Sequence, residues 1–510
     1  MKKATPKISP YIKQKYTILE QKDNLNLHVK KPKLFRVTYD LSGKENTDLI
    51  LKSFPLDKKY IKQYDFDLGF SKNHSDKNVK KIHQLLITSS NVKKMFFLVL
   101  DDVFSNYGSA KVLEEIIYSF KSLKRITNLN LVFSTHFRTE DKIVAKFISI
   151  LPRLIQLRDF NLDIQRKRVP DYLLNLISKK IEQSKFIRTF ALKLFGSELS
   201  ESEILSFSNS LKKLPNLENL HLAFNYCCEL SHEGLKDMVE SLSLMKQLKS
   251  LAFCNVIQNL NYELLALSLE KFENLKAFSF WFPDELDCEL WIPILEIIPK
   301  MGNLTKLHLE FPDFFTNNKQ GNYGDKLSEV LLKTKNLQEL YLHLRHLPAF
   351  SNENILNLGK SIRQLANLKS LHINISATEV GSIPRTLEIA KQFFEEISNI
   401  TTLQNLAIFW NRWKEIDNQA LAEFGKKLSK LKEIRTFRSS FELCEDISPE
   451  GVQKFINSLY CLESLEELDL RFDHFNFHPK NYFDVRRLPR GCKVKVTARC
   501  VMIIREYSSD

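Results

Sequence analysis

The amino-acid sequence predicts an α/β solenoid with a parallel inner β-sheet, outer helices and about 14–15 repeats. Three observations predict it. An apolar anchor followed by apolar residues three, five and seven positions later recurs along the chain at intervals of roughly 27 to 35 residues. A stripe of apolar residues at helical spacing follows many of the copies. The chain is 510 residues long and 43% hydrophobic, with only 13 Gly, which suits a continuous core and disfavours propellers and small barrels rich in tight turns.

The elements follow in chain order. Residues 1–32 form a basic arm. Nine Lys and two acids fall within residues 1–33, a surplus of about +7 of the formal +14. The repeats span 33–479. A first copy reads Pro32-Phe35-Val37-Tyr39, and looser copies start at Ile61, Val92, Ile126, Leu157, Ile187, Leu248, Leu275, Leu368, Leu403 and Ile434. The clearest are Leu217-Leu220-Leu222-Phe224, Leu304-Leu307-Leu309-Phe311, Leu337-Leu340-Leu342-Leu344 and Leu465-Leu468-Leu470-Phe472. Alternation at three, five and seven describes a short strand with one buried face. Leu235, Met238, Val239 and Leu242 then fall at helical spacing, as do Val452, Phe455, Ile456 and Leu459. Ser231 and Ser448 are the predicted helix caps, with Pro449 suited to a first turn. Neither strand face nor helix stripe can be buried within one unit, so the units must stack. Residues 480–510 form a basic cap with a final strand. They hold eight Lys or Arg against three acids, so the two ends carry roughly +12 and the body is nearly neutral overall.

Segments such as LPNLENLHLAFNYCCELSHEGLKDMVESLSLMKQLKSLAF resemble leucine-rich repeats of the ribonuclease-inhibitor-like superfamily, over roughly residues 33–500. The resemblance implies a horseshoe with its strands on the concave side. It leaves function open, because the superfamily includes inhibitors, GTPase activators, actin-filament caps and ubiquitin-ligase adaptors. The chain departs from the family at the position eight after the anchor. Asn is usual there, and only Asn225 and Asn411 fit.

Residues four and six after each anchor point away from the core and line the inner face. In the C-terminal half these are Trp281, His308, Glu310, Tyr341, His343, His372, Asn374 and Phe409, followed by Arg438 and Arg471. Aromatic and His side chains at such positions mark a protein-binding surface. Phe96 and Leu98, beside Val132, are a second apolar pair near the other end. His308, His343 and His372 fall on adjacent strands, but Glu310 is the only acid beside them, so they are read as contact residues and no metal or cofactor is expected.

No phosphate loop, dinucleotide fingerprint, HExxH or GxSxG elbow occurs, and Asp101 and Asp102 are read as loop acids, so no enzymatic activity is expected. None of the eight Cys forms a CxxC pair, and no apolar run is long enough to serve as a signal peptide or a membrane span. The expected setting is intracellular: the cytoplasm first, with nucleus or cytoskeleton as alternatives. The expected function is a scaffold or adaptor that holds a protein partner on the concave face within a larger complex. The alternative is a ribonucleoprotein subunit whose Lys2, Lys3, Lys7, Lys13, Lys15, Arg486, Arg487 and Arg490 contact RNA or an acidic tail. GTPase activation or ubiquitin-ligase adaptation rests on fold analogy alone.

Overall fold

The computed structural model describes residues 34–40, 63–70 and 92–497, apart from 101–106, 135–140, 166–170, 196–198, 226–231, 255–260, 283–290, 312–322, 345–349, 377–385, 414 and 473–483. The first eight strands are β1 (Leu34–Asp40), β2 (Gln63–Phe70), β3 (Val92–Leu100), β4 (Asn128–Ser134), β5 (Asp159–Gln165), β6 (Thr189–Phe195), β7 (Asn219–Asn225) and β8 (Ser250–Cys254). The next eight are β9 (Ala277–Trp281), β10 (Lys306–Glu310), β11 (Glu339–His343), β12 (Ser370–Asn374), β13 (Asn405–Phe409), β14 (Thr436–Ser440), β15 (Glu467–Arg471) and β16 (Lys493–Thr497). They lie side by side in strict chain order as one open, sixteen-stranded parallel sheet.

Parallel neighbours need a crossover, and from β3 to β15 helices supply it. They are α1 (Tyr107–Phe120), α2 (Asp141–Ile150), α3 (Asp171–Ile181), α4 (Glu201–Lys212), α5 (His232–Ser243) and α6 (Tyr262–Leu269), then α7 (Ile292–Ile297), α8 (Tyr323–Lys333), α9 (Asn352–Arg363), α10 (Leu387–Ser398), α11 (Asn418–Leu428) and α12 (Pro449–Leu459). Their apolar stripes and the inward strand residues form one continuous core. Helices pack 8–10 Å apart and strands about 4.8 Å apart, so the stack bends with the strands on its inner side.

The seam is a row of matched residues. Leu131, Leu162, Leu192, Leu222, Phe253, Phe280, Leu309, Leu342, Ile373 and Ile408 pair in register from β4 to β13, all fully buried. Ser439 interrupts the row on β14, its hydroxyl donating to the Ile408 carbonyl at 2.9 Å, and Leu470 resumes it. Between β2 and β3 the register slips at Tyr64/Asp65, so Phe66 meets Met95 where the repeat spacing predicts Tyr64. Three Trp, at 291, 410 and 413, are fully buried, and Trp413 Nε1 donates to the Ile375 carbonyl at 2.7 Å.

Local chemistry sets the helix starts. Ser200 and Glu203 form a capping box on α4, Ser351 and Asn354 do the same on α9, and the Asp417 carboxylate accepts from Ala420 N on α11. Ser448 sits at the predicted cap of α12, but its hydroxyl bonds the Glu450 carboxylate and caps nothing. Its backbone N–H instead donates to Asn418 Oδ1 of the preceding repeat at 2.7 Å. Ser231 lies outside the described residues.

Successive repeats are tied by side chains as well as by the sheet. Asn216, Asn303 and Asn336, each immediately before an anchor Leu, donate to the carbonyls of Lys185, Glu273 and Gly302 in the previous repeat at 2.9, 2.8 and 3.1 Å. Ion pairs step along the helices in the same way: Lys213–Glu182, Lys271–Glu240, Lys300–Glu270 and Lys326–Glu296, at 2.7–2.9 Å. Asn411, one of the two family-like loop residues, accepts from Glu442 N at 3.0 Å.

Candidate binding face

The face of the sheet opposite the helices carries the residues between the seam positions. In β9 to β12 burial alternates strictly, and the outward residues remain partly exposed. Register then decides which of them meet. His308 lies beside Tyr341, Tyr341 beside His372, Glu310 between Trp281 and His343, and Asn374 between His343 and Phe409. Eight of the ten predicted partner-binding residues are thus brought together on five consecutive strands.

The rings form a ladder. The centroids of His308 and Tyr341, and of Tyr341 and His372, are both 3.9 Å apart, the second pair stacked. Phe409 continues the ladder 5.0 Å beyond His372, and Trp281 stands 6.0 Å before His308, edge-on. Trp281 then leads to His221 at 6.1 Å. Such contacts are favourable beyond area burial and hold the rings in fixed orientations. Trp281 is half-buried, and its Nε1–H finds no acceptor among the described residues.

Charge on this strip is sparse. Glu310 lies between two imidazoles, 3.6 Å from His308 Nε2 and 3.8 Å from His343 Nδ1. Asn374 Nδ2 approaches His343 Nε2 at 3.4 Å, while its Oδ1 accepts from Ser376 N and Oγ. Burial, reinforced by the neighbouring His343 and His308, pushes the His372 pKa down to about 4. Burial, with Lys193 close by, does the same to His221, also to about 4. Both are neutral imidazoles at neutral pH. Tyr341 is pushed upward, by burial and then by Glu310. Among the described residues no three His, Cys, Asp or Glu converge to hold a metal ion.

His221 Nε2 lies 2.9 Å from Cys254 Sγ. The pair has the elements of a nucleophilic dyad, but burial raises the thiol pKa well above its ordinary value while it lowers that of the ring. A protonated thiol facing a neutral imidazole is a packing contact.

The remaining predictions distribute differently. Arg438 is exposed on β14 and pairs with Glu467 at 2.9 Å. Arg471 on β15 lies 3.9 Å from Asp469. Both stand beyond the ring ladder. Arg486 is held by Asp484 and Arg487 lies over the Tyr460 ring, while Arg490 is exposed. Lys2, Lys3, Lys7, Lys13 and Lys15, the acids Asp101 and Asp102, and the side chains of Phe96 and Leu98 lie outside the described residues. Four outward positions, Ala223, Cys254, Ala407 and Ser440, are buried, because their small side chains are overlapped by larger neighbours.

The sequence reading missed a third row of the face, two positions after each anchor. There Asn219 donates to Thr189 Oγ1 at 3.2 Å, Thr436 to Asn405 Oδ1 at 2.7 Å, and Lys306 pairs with Glu339 at 2.7 Å. The same period-two alternation marks these residues, so the signal was present. A scan against protein-family models gives no match, and a search of curated proteins gives none. Among the described residues no helix is long and apolar enough to cross a membrane.

Proposed function

We propose that this chain is a non-enzymatic scaffold of the ribonuclease-inhibitor-like leucine-rich-repeat superfamily, holding a protein partner on its concave face, inside the cell and within a larger assembly. The reading rests on one observation: a contiguous ladder of partly exposed, largely neutral rings from Trp281 to Phe409 on the face of the sheet opposite the helices. A soluble domain gains by covering such a strip. Its composition, aromatic at the centre with Lys306, Glu339 and Arg438 at its borders, matches the centre and rim of protein interfaces. The rings are already stacked, so little side-chain freedom is lost on binding.

The test is affinity capture from native extract with the intact chain and with a Trp281→Ala, Tyr341→Ala, Phe409→Ala variant. The variant is expected to lose the captured protein, since aromatic anchors at an interface centre each contribute about 2 kcal/mol or more. Capture undiminished by the triple change, with thermal stability retained, removes this surface as the binding site.

A further inference from the structure

The turn from each described helix into the next strand, from β4 to β15, lies on one edge of the sheet. Backbone bonds hold it there: Arg158 N donates to the Thr127 carbonyl at 2.8 Å, Arg188 N to that of Arg158 at 2.7 Å, and Lys249 N to that of Glu218 at 2.7 Å. Three turns on this edge share a pattern that the core does not require. Ile155 stands between Arg153 and Arg158, Phe186 between Lys185 and Arg188, and Leu244 just before Lys246. The three apolar tips are 57%, 52% and 71% exposed, while Leu154, Leu157, Ile187, Met245 and Leu248 around them are buried.

The cations beside these tips are exposed. Arg153, Arg158, Arg188 and Lys246 form no ion pair among the described residues, and Lys185 donates only to the Lys213 backbone carbonyl at 3.1 Å. Glu182 and Glu218 in the same stretch are taken up by Lys213 and Lys249. Further along, Lys271 and Lys300 are paired with Glu240 and Glu270. The near-neutral body therefore hides a local surplus of positive charge, concentrated where hydrophobic tips protrude.

We infer that this edge is a peripheral docking surface for an anionic lipid bilayer. The cations sit at headgroup depth, and Ile155, Phe186 and Leu244 dip into the boundary between headgroups and acyl chains. A single-stranded nucleic acid makes less use of the same edge, because Ile155 and Leu244 have no π-face on which bases stack. A protein partner wants a contiguous apolar centre, and these tips stand singly among charges. The surface is separate from the ring ladder, so the two readings stand or fall apart.

Flotation of the full chain with vesicles of equimolar phosphatidylcholine and phosphatidylserine, and with phosphatidylcholine alone, tests the inference, alongside binding of a single-stranded oligouridine. The chain is expected to float with the mixed vesicles only. Arg158→Glu combined with Arg188→Glu is expected to weaken partitioning by roughly tenfold or more. Ile155→Ser combined with Phe186→Ser is expected to weaken it with the charge unchanged. All four side chains are exposed, and a retained circular dichroism spectrum checks that the variants fold. Three results overturn the inference: no flotation with the mixed vesicles; flotation undiminished by both variants, which assigns it to the basic ends; or oligouridine binding that is lost in the charge variant while vesicles are ignored.

Discussion

His221 and His372 carry a cost that depends on pH. Each has its folded pKa lowered to about 4, from an ordinary value of 6.5, chiefly by burial. The unfolded chain therefore takes up protons first as pH falls. Their contribution to stability is complete above pH 6.5 and is lost progressively between about pH 6.5 and pH 4, of order 2 kcal/mol each. Melting temperature is expected to fall over that window, and the fall is expected to be shallower in a His221→Gln, His372→Gln variant. An unchanged slope would show that other groups govern it. At this scale the sequence was informative about which side chains face outward and uninformative about how far they are covered. Ala407 and Cys254 occupy outward positions and are buried, because larger side chains on adjacent strands overlap them, and cross-strand size is not a property of the local pattern. The stacking of His308, Tyr341 and His372 depends equally on register, which the anchor spacing did supply.

Elements are fastened to their neighbours by a few specific contacts. Gly451, near the start of α12, faces Asn418 of α11; a Cβ there would meet Asn418 Oδ1 at 2.0 Å. That oxygen is fixed by the Ser448 N–H, so the side chain cannot simply turn away. Gly451→Ala is expected to destabilise the protein by about 1–3 kcal/mol, measurable by denaturant titration. Asn303→Ala removes the bond to the Glu273 carbonyl and is expected to cost about 1 kcal/mol by the same measurement. The Asn-Leu pairs behind this contact, at 216–217, 303–304 and 336–337, stand plainly in the sequence. The family pattern marks the loop position eight after the anchor and says nothing of the residue before it, so the Asn-Leu pairs carry no signal there. The displaced register of β2 against β3 was not legible, because an extra residue in one strand leaves the alternation on either side intact.

Across the whole molecule, stability is a sum over interfaces between repeats. Leu309→Ala opens a hole in the seam between Phe280 and Leu342 and is expected to cost about 2–5 kcal/mol. Chemical denaturation of the variant is expected to separate into two phases, because the interfaces on each side of the lesion become unequal; a single sharp transition would mean that the array unfolds as one unit. The architecture was legible because one thirty-residue period repeats, and its errors average out. The binding surface was legible only as a direction of side chains, since what covers a face is decided between repeats. The last described strand carries a consequence of its own. β16 pairs in parallel with β15, and Lys493 and Lys495 are exposed along it, while Val496 is buried. A sheet built by adding one parallel strand after another has no intrinsic stop. Lys493, and Lys495 at 3.6 Å from the Asp469 carboxylate, set charge along β16, and charged side chains on an outer strand oppose the addition of a further one.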